Sequence, residues 1–114
     1  RSIRFAVERY FLTRGYEIDT APDRQLAEAM LDRTRYDLLI ADLRLSGLHS
    51  VEGLELVTRV RAQSPRVRTI LLTAYASPGI DDEARRRGAD RVLQKPRRLS
   101  ELAEIVADLL RERR

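Results

Sequence analysis

The stretch Tyr36-Asp37-Leu38-Leu39-Ile40-Ala41, closed by Asp42, constrains the fold more than any other part of this 114-residue chain. A strand with one wet face alternates apolar and polar residues, whereas an unbroken apolar run of this length reads as a strand covered on both faces. Cover on both faces calls for helices above and below, the arrangement of a parallel sheet. A second run, Val67 to Leu72, is interrupted only by Arg68 and Thr69 and ends at Thr73. A third, Arg91 to Gln94, is short and ends at Lys95-Pro96. Tyr16 to Thr20 reads as a further short strand with partial alternation.

Helical patterns fill the intervals. Ile3, Val7, Tyr10 and Phe11 share one helical face, and Gly15 is placed to stop that helix. Pro22 and Asp23 open a second helix with Leu26, Ala27, Met30 and Leu31 inward and Asp23 as its N-cap. A polar loop through Gly47, His49 and Ser50 precedes a third helix that carries Leu54, Val57, Val60 and Arg61 and stops near Ser64-Pro65. Ser77-Pro78 opens a fourth, with Asp81, Asp82 and Glu83 early and Arg85 to Arg87 late, as the helix dipole favours, and Gly88 closes it. The last has the clearest pattern: Leu99, Leu102, Ile105, Val106, Leu109 and Leu110 on one face. Strands alternating with helices predict βαβ units with right-handed crossovers.

Composition narrows the function. A 43% hydrophobic content can fill one core. No apolar run approaches the ~20 residues needed to span a bilayer, so no membrane role is expected. Cysteine is absent, which excludes disulfides, thiolate metal sites and a cysteine nucleophile and suits the cytoplasm. The net charge of +4 comes from interspersed signs. The Arg85–Arg87 run reads as a solvated helix end, and without a recognition helix or aromatic platform no direct nucleic-acid binding is expected.

In open α/β sheets, ligands bind outside the carboxyl ends of the strands. Three successive strands end here in Asp42, Thr73 and Lys95. Asp42 to Thr73 fits a full βαβ unit of ~30 residues, and Thr73 to Lys95 fits a tighter one. If the strands are parallel, a carboxylate, a hydroxyl and an ammonium reach one edge. That set suits phosphoryl chemistry: Asp is a nucleophile toward phosphorus, Thr can hydrogen-bond a phosphoryl oxygen, and Lys is a compact point charge. Lys95 is the only lysine among 22 basic residues.

At these residues the sequence resembles the receiver domain of bacterial two-component response regulators. The motifs are Leu-Ile-Ala-Asp42-Leu-Arg-Leu-Ser-Gly, then Ile-Leu-Leu-Thr73-Ala-Tyr, then Gly-Ala-Asp-Arg-Val-Leu-Gln-Lys95-Pro96. The resemblance covers essentially the whole chain. It implies a flavodoxin-like, doubly wound parallel five-stranded sheet of order 2-1-3-4-5. It implies Asp42 as phosphoacceptor, Thr73 as switch hydroxyl and Lys95 as the contact to the acyl phosphate. It gives Mg²⁺ as cofactor, with Asp42 and the backbone carbonyl of Arg44 as ligands, while Ala74 lets the switch loop close and Tyr75 flanks the entrance. The partner it implies is a sensor histidine kinase, with a homodimer through the last strands and helices also open. Such a domain phosphorylates and dephosphorylates only itself, so it is not a turnover enzyme. The alternative is a pseudo-receiver, an unphosphorylated interaction module.

The sequence departs from that family at its start. Receivers begin with an apolar strand ending in two acids that hold Mg²⁺, and here the chain opens directly in the first helix. In the 2-1-3-4-5 order the missing strand is central, and its removal opens a gap of roughly 9–10 Å between its neighbours. We therefore expect 1–114 to be a single receiver domain lacking its first strand, with that strand and further acidic ligands upstream of Arg1, or a strand supplied by another chain. Val92 stands where an inward-swinging aromatic is common, so no aromatic switch is expected.

Overall fold

The computed structural model describes residues 3–43, 49–74, 78–95 and 98–112. Five helices and three strands follow one another in the order α1 (Ile3–Thr13), α2 (Arg24–Arg33), β1 (Leu38–Leu43), α3 (His49–Gln63), β2 (Arg68–Thr73), α4 (Pro78–Arg87), β3 (Arg91–Gln94) and α5 (Leu99–Arg111). The strands form one parallel sheet in the order β1-β2-β3, with Leu38 opposite Arg68 and Ile70 opposite Arg91.

Strand alternation divides the core into two layers. On one face Ile70, Leu72 and Leu93 pack with Val7 and Phe11 of α1 and with Leu102, Val106 and Leu109 of α5. On the other, Ala41, Leu43 and Leu71 pack with Val57 of α3 and with Ala84 and Ala89 at and beyond the end of α4. Helices cover both faces of β2, and all six of its residues are buried. The two polar residues that interrupt its apolar run find partners there, apart from the buried Arg68 Nε. The Thr69 hydroxyl donates to the Gly88 carbonyl at 3.1 Å, and the Thr69 amide donates to Asp90 Oδ2 at 2.8 Å. The Arg68 guanidinium pairs with Asp90 at 3.2 Å and donates to the carbonyls of Leu109 and Glu112, which fixes the end of α5. Gly15 (φ 91°) and Gly88 (φ 114°) end α1 and α4 in the left-handed region that a side chain disfavours.

Three expectations are corrected. Tyr16 to Thr20 belongs to no strand. A strand is held by its ladder, and among the described residues nothing pairs with this segment or with the outer edge of β1. The sheet therefore holds three of the expected strands, in the 3-4-5 part of the expected order. A side-chain bond spans the unpaired region instead: the Tyr36 hydroxyl donates to Asp19 Oδ2 at 2.6 Å. His49 and Ser50, read as loop, open α3. Leu26, read as inward, is 41% exposed, because α2 packs on α3 rather than over a strand.

Asp23 does cap α2, accepting from the Leu26 amide at 2.9 Å. Yet α2 buries no side chain fully. It is held to α3 by ion pairs of Arg59 with Glu28 (2.9 Å) and Asp32 (2.8 Å) and of Arg24 with Glu55. Partly exposed pairs contribute about 0.2–1 kcal/mol each and are screened by salt. By contrast, α5 buries Leu102, Val106 and Leu109, at about 1.5–3 kcal/mol each. We predict that raising NaCl to about 1 M, where the Debye length falls to ~3 Å, speeds amide exchange in residues 24–33 while leaving 99–111 unchanged. Equal protection of α2 at low and high salt would refute this.

A second prediction concerns Tyr36. Its bond to Asp19 and its partial desolvation hold the phenol above the usual tyrosine range. A raised folded value means that the bond's contribution is complete below the unfolded pKa of ~10 and is lost as pH rises through the folded one. Ultraviolet titration should show one late-ionising component among the four tyrosines, absent in Tyr36→Phe. The same curve for both proteins would count against it.

Candidate functional site at the carboxyl edge of the sheet

Parallel pairing fixes where each strand ends. Leu43 lies opposite Thr73, and Thr73 opposite Gln94, so the three strands finish at the same level. Asp42 is the penultimate residue of β1, Thr73 the last of β2, and Lys95 follows the last of β3. The Lys95 amide donates to the Thr73 carbonyl at 2.7 Å, which continues the β2–β3 ladder by one residue.

Side-chain parity then decides which groups meet. Asp42 shares the parity of Leu38 and Ile40, and Lys95 that of Leu93, so both belong to the α1/α5 side of the sheet. The Lys95 ammonium donates to Asp42 Oδ1 at 2.6 Å. The carboxylate is 35% exposed and the lysine side chain 22% exposed. A carboxylate is thus open to solvent and oriented by a cation whose stem is covered.

Thr73 shares the parity of Leu71, which packs on the α3/α4 side, and it is fully buried. Its backbone joins the site through the Lys95 amide, which donates to the Thr73 carbonyl. Ala74, the next residue, is exposed. The structure therefore brings Asp42 and Lys95 into contact and sets Thr73 in the adjoining strand with its side chain inward. Arg44 and Tyr75 lie outside the described residues. Gly53, which sequence reasoning did not single out, reaches the site from behind. A Cβ built there would lie 3.3 Å from the Asp42 carbonyl. A helical glycine four residues before the core residue Val57 was the available signal.

No group of three His, Cys, Asp or Glu side chains close enough to hold a metal ion occurs among the described residues. Asp42 is one oxygen donor, and one donor does not make a divalent-cation site, which needs about six oxygens. The described residues do not fit a complete Mg²⁺ site. No described helix is long and apolar enough to cross a membrane.

With this geometry in hand, the comparisons with known proteins are informative. The sequence matches the response regulator receiver domain family over residues 1–107. The alginate biosynthesis transcriptional regulatory protein AlgB of Pseudomonas aeruginosa is 33% identical over 96 residues, 84% of this chain and 20% of that protein. The chemotaxis protein CheY4 of Vibrio cholerae superposes with a TM-score of 0.84 at 30% identity, covering 94% of this chain and 88% of that one. A response regulator protein from Burkholderia pseudomallei, solved with a phosphorylated aspartic acid, a calcium ion and citrate, superposes with a TM-score of 0.77 at 25% identity, covering 91% of this chain and 64% of that one. The chain spans only 20–22% of the length of the first curated relatives it matches.

Proposed function

This chain belongs to the response regulator receiver domain family, and on that premise we propose that Asp42 accepts a phosphoryl group from a sensor histidine kinase. The observation that carries the assignment is the exposed Asp42 carboxylate, held 2.6 Å from the Lys95 ammonium at the carboxyl edge of a parallel sheet. The phosphorylated aspartic acid recorded in the Burkholderia relative supports it.

In the proposed step a carboxylate oxygen of Asp42 attacks the phosphorus of a phosphohistidine. An O–P bond forms, the N–P bond breaks, and the imidazole leaves and takes up a proton. Lys95 lies where it can neutralise charge on the attacked group and then follow the phosphoryl oxygens. Water attack at phosphorus later returns the carboxylate and releases inorganic phosphate. The domain acts on itself and turns over no separate substrate.

The acyl phosphate adds up to about two negative charges beside Lys95. Such a charge draws hydrogen-bond donors, and Thr73 carries a hydroxyl at the end of the adjoining strand. We assign Thr73 the switch: its hydroxyl leaves the buried layer and binds a phosphoryl oxygen, biasing the β2–α4 connection between two arrangements. Ala74, small and exposed, leaves room for that closure. Tyr75 flanks the entrance in this reading. Mg²⁺ is the ion typical of the family. Asp42 and the Arg44 carbonyl would supply two of its oxygens, and the described residues cluster no others.

Residues 1–114 form a single receiver domain lacking its first strand in this reading, working in the cytoplasm, with the last two strands and helices (β2, β3, α4 and α5) as the surface open to a second copy.

Acetyl phosphate with Mg²⁺ tests the assignment without a kinase. The wild-type chain should gain the mass of one phosphoryl group, Asp42→Asn should gain none, and Lys95→Ala should gain it at least tenfold more slowly, a loss of about 1.4 kcal/mol of transition-state stabilisation. Phosphorylation that survives Asp42→Asn would refute the assignment. A wild-type chain that never gains mass would return the pseudo-receiver reading.

A further inference from the structure

α3 approaches the end of β1 closely at Gly53. This glycine is buried in the second turn of α3. A methyl group there would lie 3.3 Å from the Asp42 carbonyl oxygen, 3.5 Å from Leu43 Cδ1 and 3.6 Å from Leu43 Cα. The first distance is tighter than an ordinary van der Waals contact, so either α3 or the Asp42–Leu43 peptide must yield. Little else there can yield. The other side of that peptide is fixed in the ladder to Leu72 and Thr73, and Leu43 is buried against Val57 one turn further along α3. Glycine inside a helix costs roughly 0.5–1 kcal/mol relative to alanine. A helical position that keeps glycine despite that cost, and touches a backbone carbonyl, marks a close approach.

We propose that Gly53 is a positioning residue for the phosphoryl-transfer reaction, setting the placement of the Asp42 carboxylate through its backbone. This rests on the reading of Asp42 as phosphoacceptor. In-line attack is sensitive to sub-ångström placement, and a 1 Å error can cost about 100-fold in rate. A shift of a few tenths of an ångström at the Asp42 carbonyl tilts its Cα–Cβ bond and lengthens the contact with Lys95. A slowing of about tenfold is the expected consequence.

The test compares Gly53→Ala with Gly79→Ala. Gly79 lies in α4 with nothing within 4 Å of its added methyl, so it reports the helix-propensity effect alone. Two readings are taken on each chain: NMR shifts of the Asp42 and Lys95 amides, which need no phosphorylation, and the rate of phosphoryl gain from acetyl phosphate with Mg²⁺. Gly53→Ala should move both amides and slow phosphorylation about tenfold without lowering the melting temperature. Gly79→Ala should change neither reading. If Gly53→Ala does not fold, the readings are taken on Gly53→Ala with Leu43→Val, which removes the crowded Cδ1 and keeps the carbonyl contact. Unmoved Asp42 and Lys95 amides overturn the proposal, and so does an unchanged rate. If the wild-type chain takes up no phosphoryl group, the phosphoacceptor reading fails on its own, and the amide shifts still judge whether Gly53 places Asp42.

Discussion

The ladder that sets Leu43 beside Thr73 and Thr73 beside Gln94 determines where chemistry can occur on this molecule. Backbone hydrogen bonds in a parallel sheet fix register, and register fixes which side chains share an edge. A slip of one residue in β1 would turn Asp42 to the opposite face and replace it at the α1/α5 layer with a leucine or an alanine. Burial prevents that slip. Ala41, Leu43 and Leu71 on one side and Ile70, Leu72 and Leu93 on the other each have a packed layer to fill. The contact between Asp42 and Lys95 is a local event, but its geometry is a consequence of the whole core.

The two sides of the sheet are secured differently. On the α1/α5 side, α5 buries three apolar side chains and its C-terminal end is tied to β2 and β3 through Arg68, Asp90 and Glu112. Buried charge is costly unless paired, and Arg68 meets that condition with a carboxylate and two helix carbonyls. At the free edge of β1, α2 rests on α3 mainly through charges, and Tyr36–Asp19 links two segments that no ladder joins. Stability therefore falls from β3 toward the edge of β1. Asp42 sits on the strand at that edge, with Leu39 packed toward the α3 side and Leu38 and Ile40 toward α1 and α5.

Much of this was legible in the residues. The run from Leu38 to Ala41 announced a doubly covered strand, Asp23 the cap of α2, and Gly15 and Gly88 the helix ends. The three polar strand ends were visible because strand periodicity and βαβ spacing are local or nearly local patterns. What the sequence did not reveal was pairwise. Tyr16 to Thr20 has the pattern of a strand, but a strand needs a neighbour, and propensity says nothing about whether one is present. Leu26 has an inward position in α2's own period, yet α2 settles on α3. The inward setting of the Thr73 side chain depends on its parity relative to Asp42, and that follows only from the register between β1 and β2. Gly53 gave the weakest signal, since a glycine in a helix is ambiguous until its neighbour is known to be a carbonyl.

The opposite parities of Asp42 and Thr73 bear on how a switch at this edge would work. The resting carboxylate is neutralised by Lys95, which lies on its own side of the sheet, and it makes no demand on the other side. An acyl phosphate carries more charge than one ammonium can balance, and it extends further past the strand end. The next donor must come from β2, whose last side chain points into the other layer. Under the proposed function, Thr73 therefore reaches the phosphoryl group only by turning out of the α3/α4 layer. The residues that fill that layer, Ala84 of α4 among them, must repack around the space it leaves. Under that proposal, a buried threonine beside an exposed acid would convert a change of charge on one face of the sheet into a change of packing on the other. Had both side chains shared a face, the same charge could have been met without moving α4.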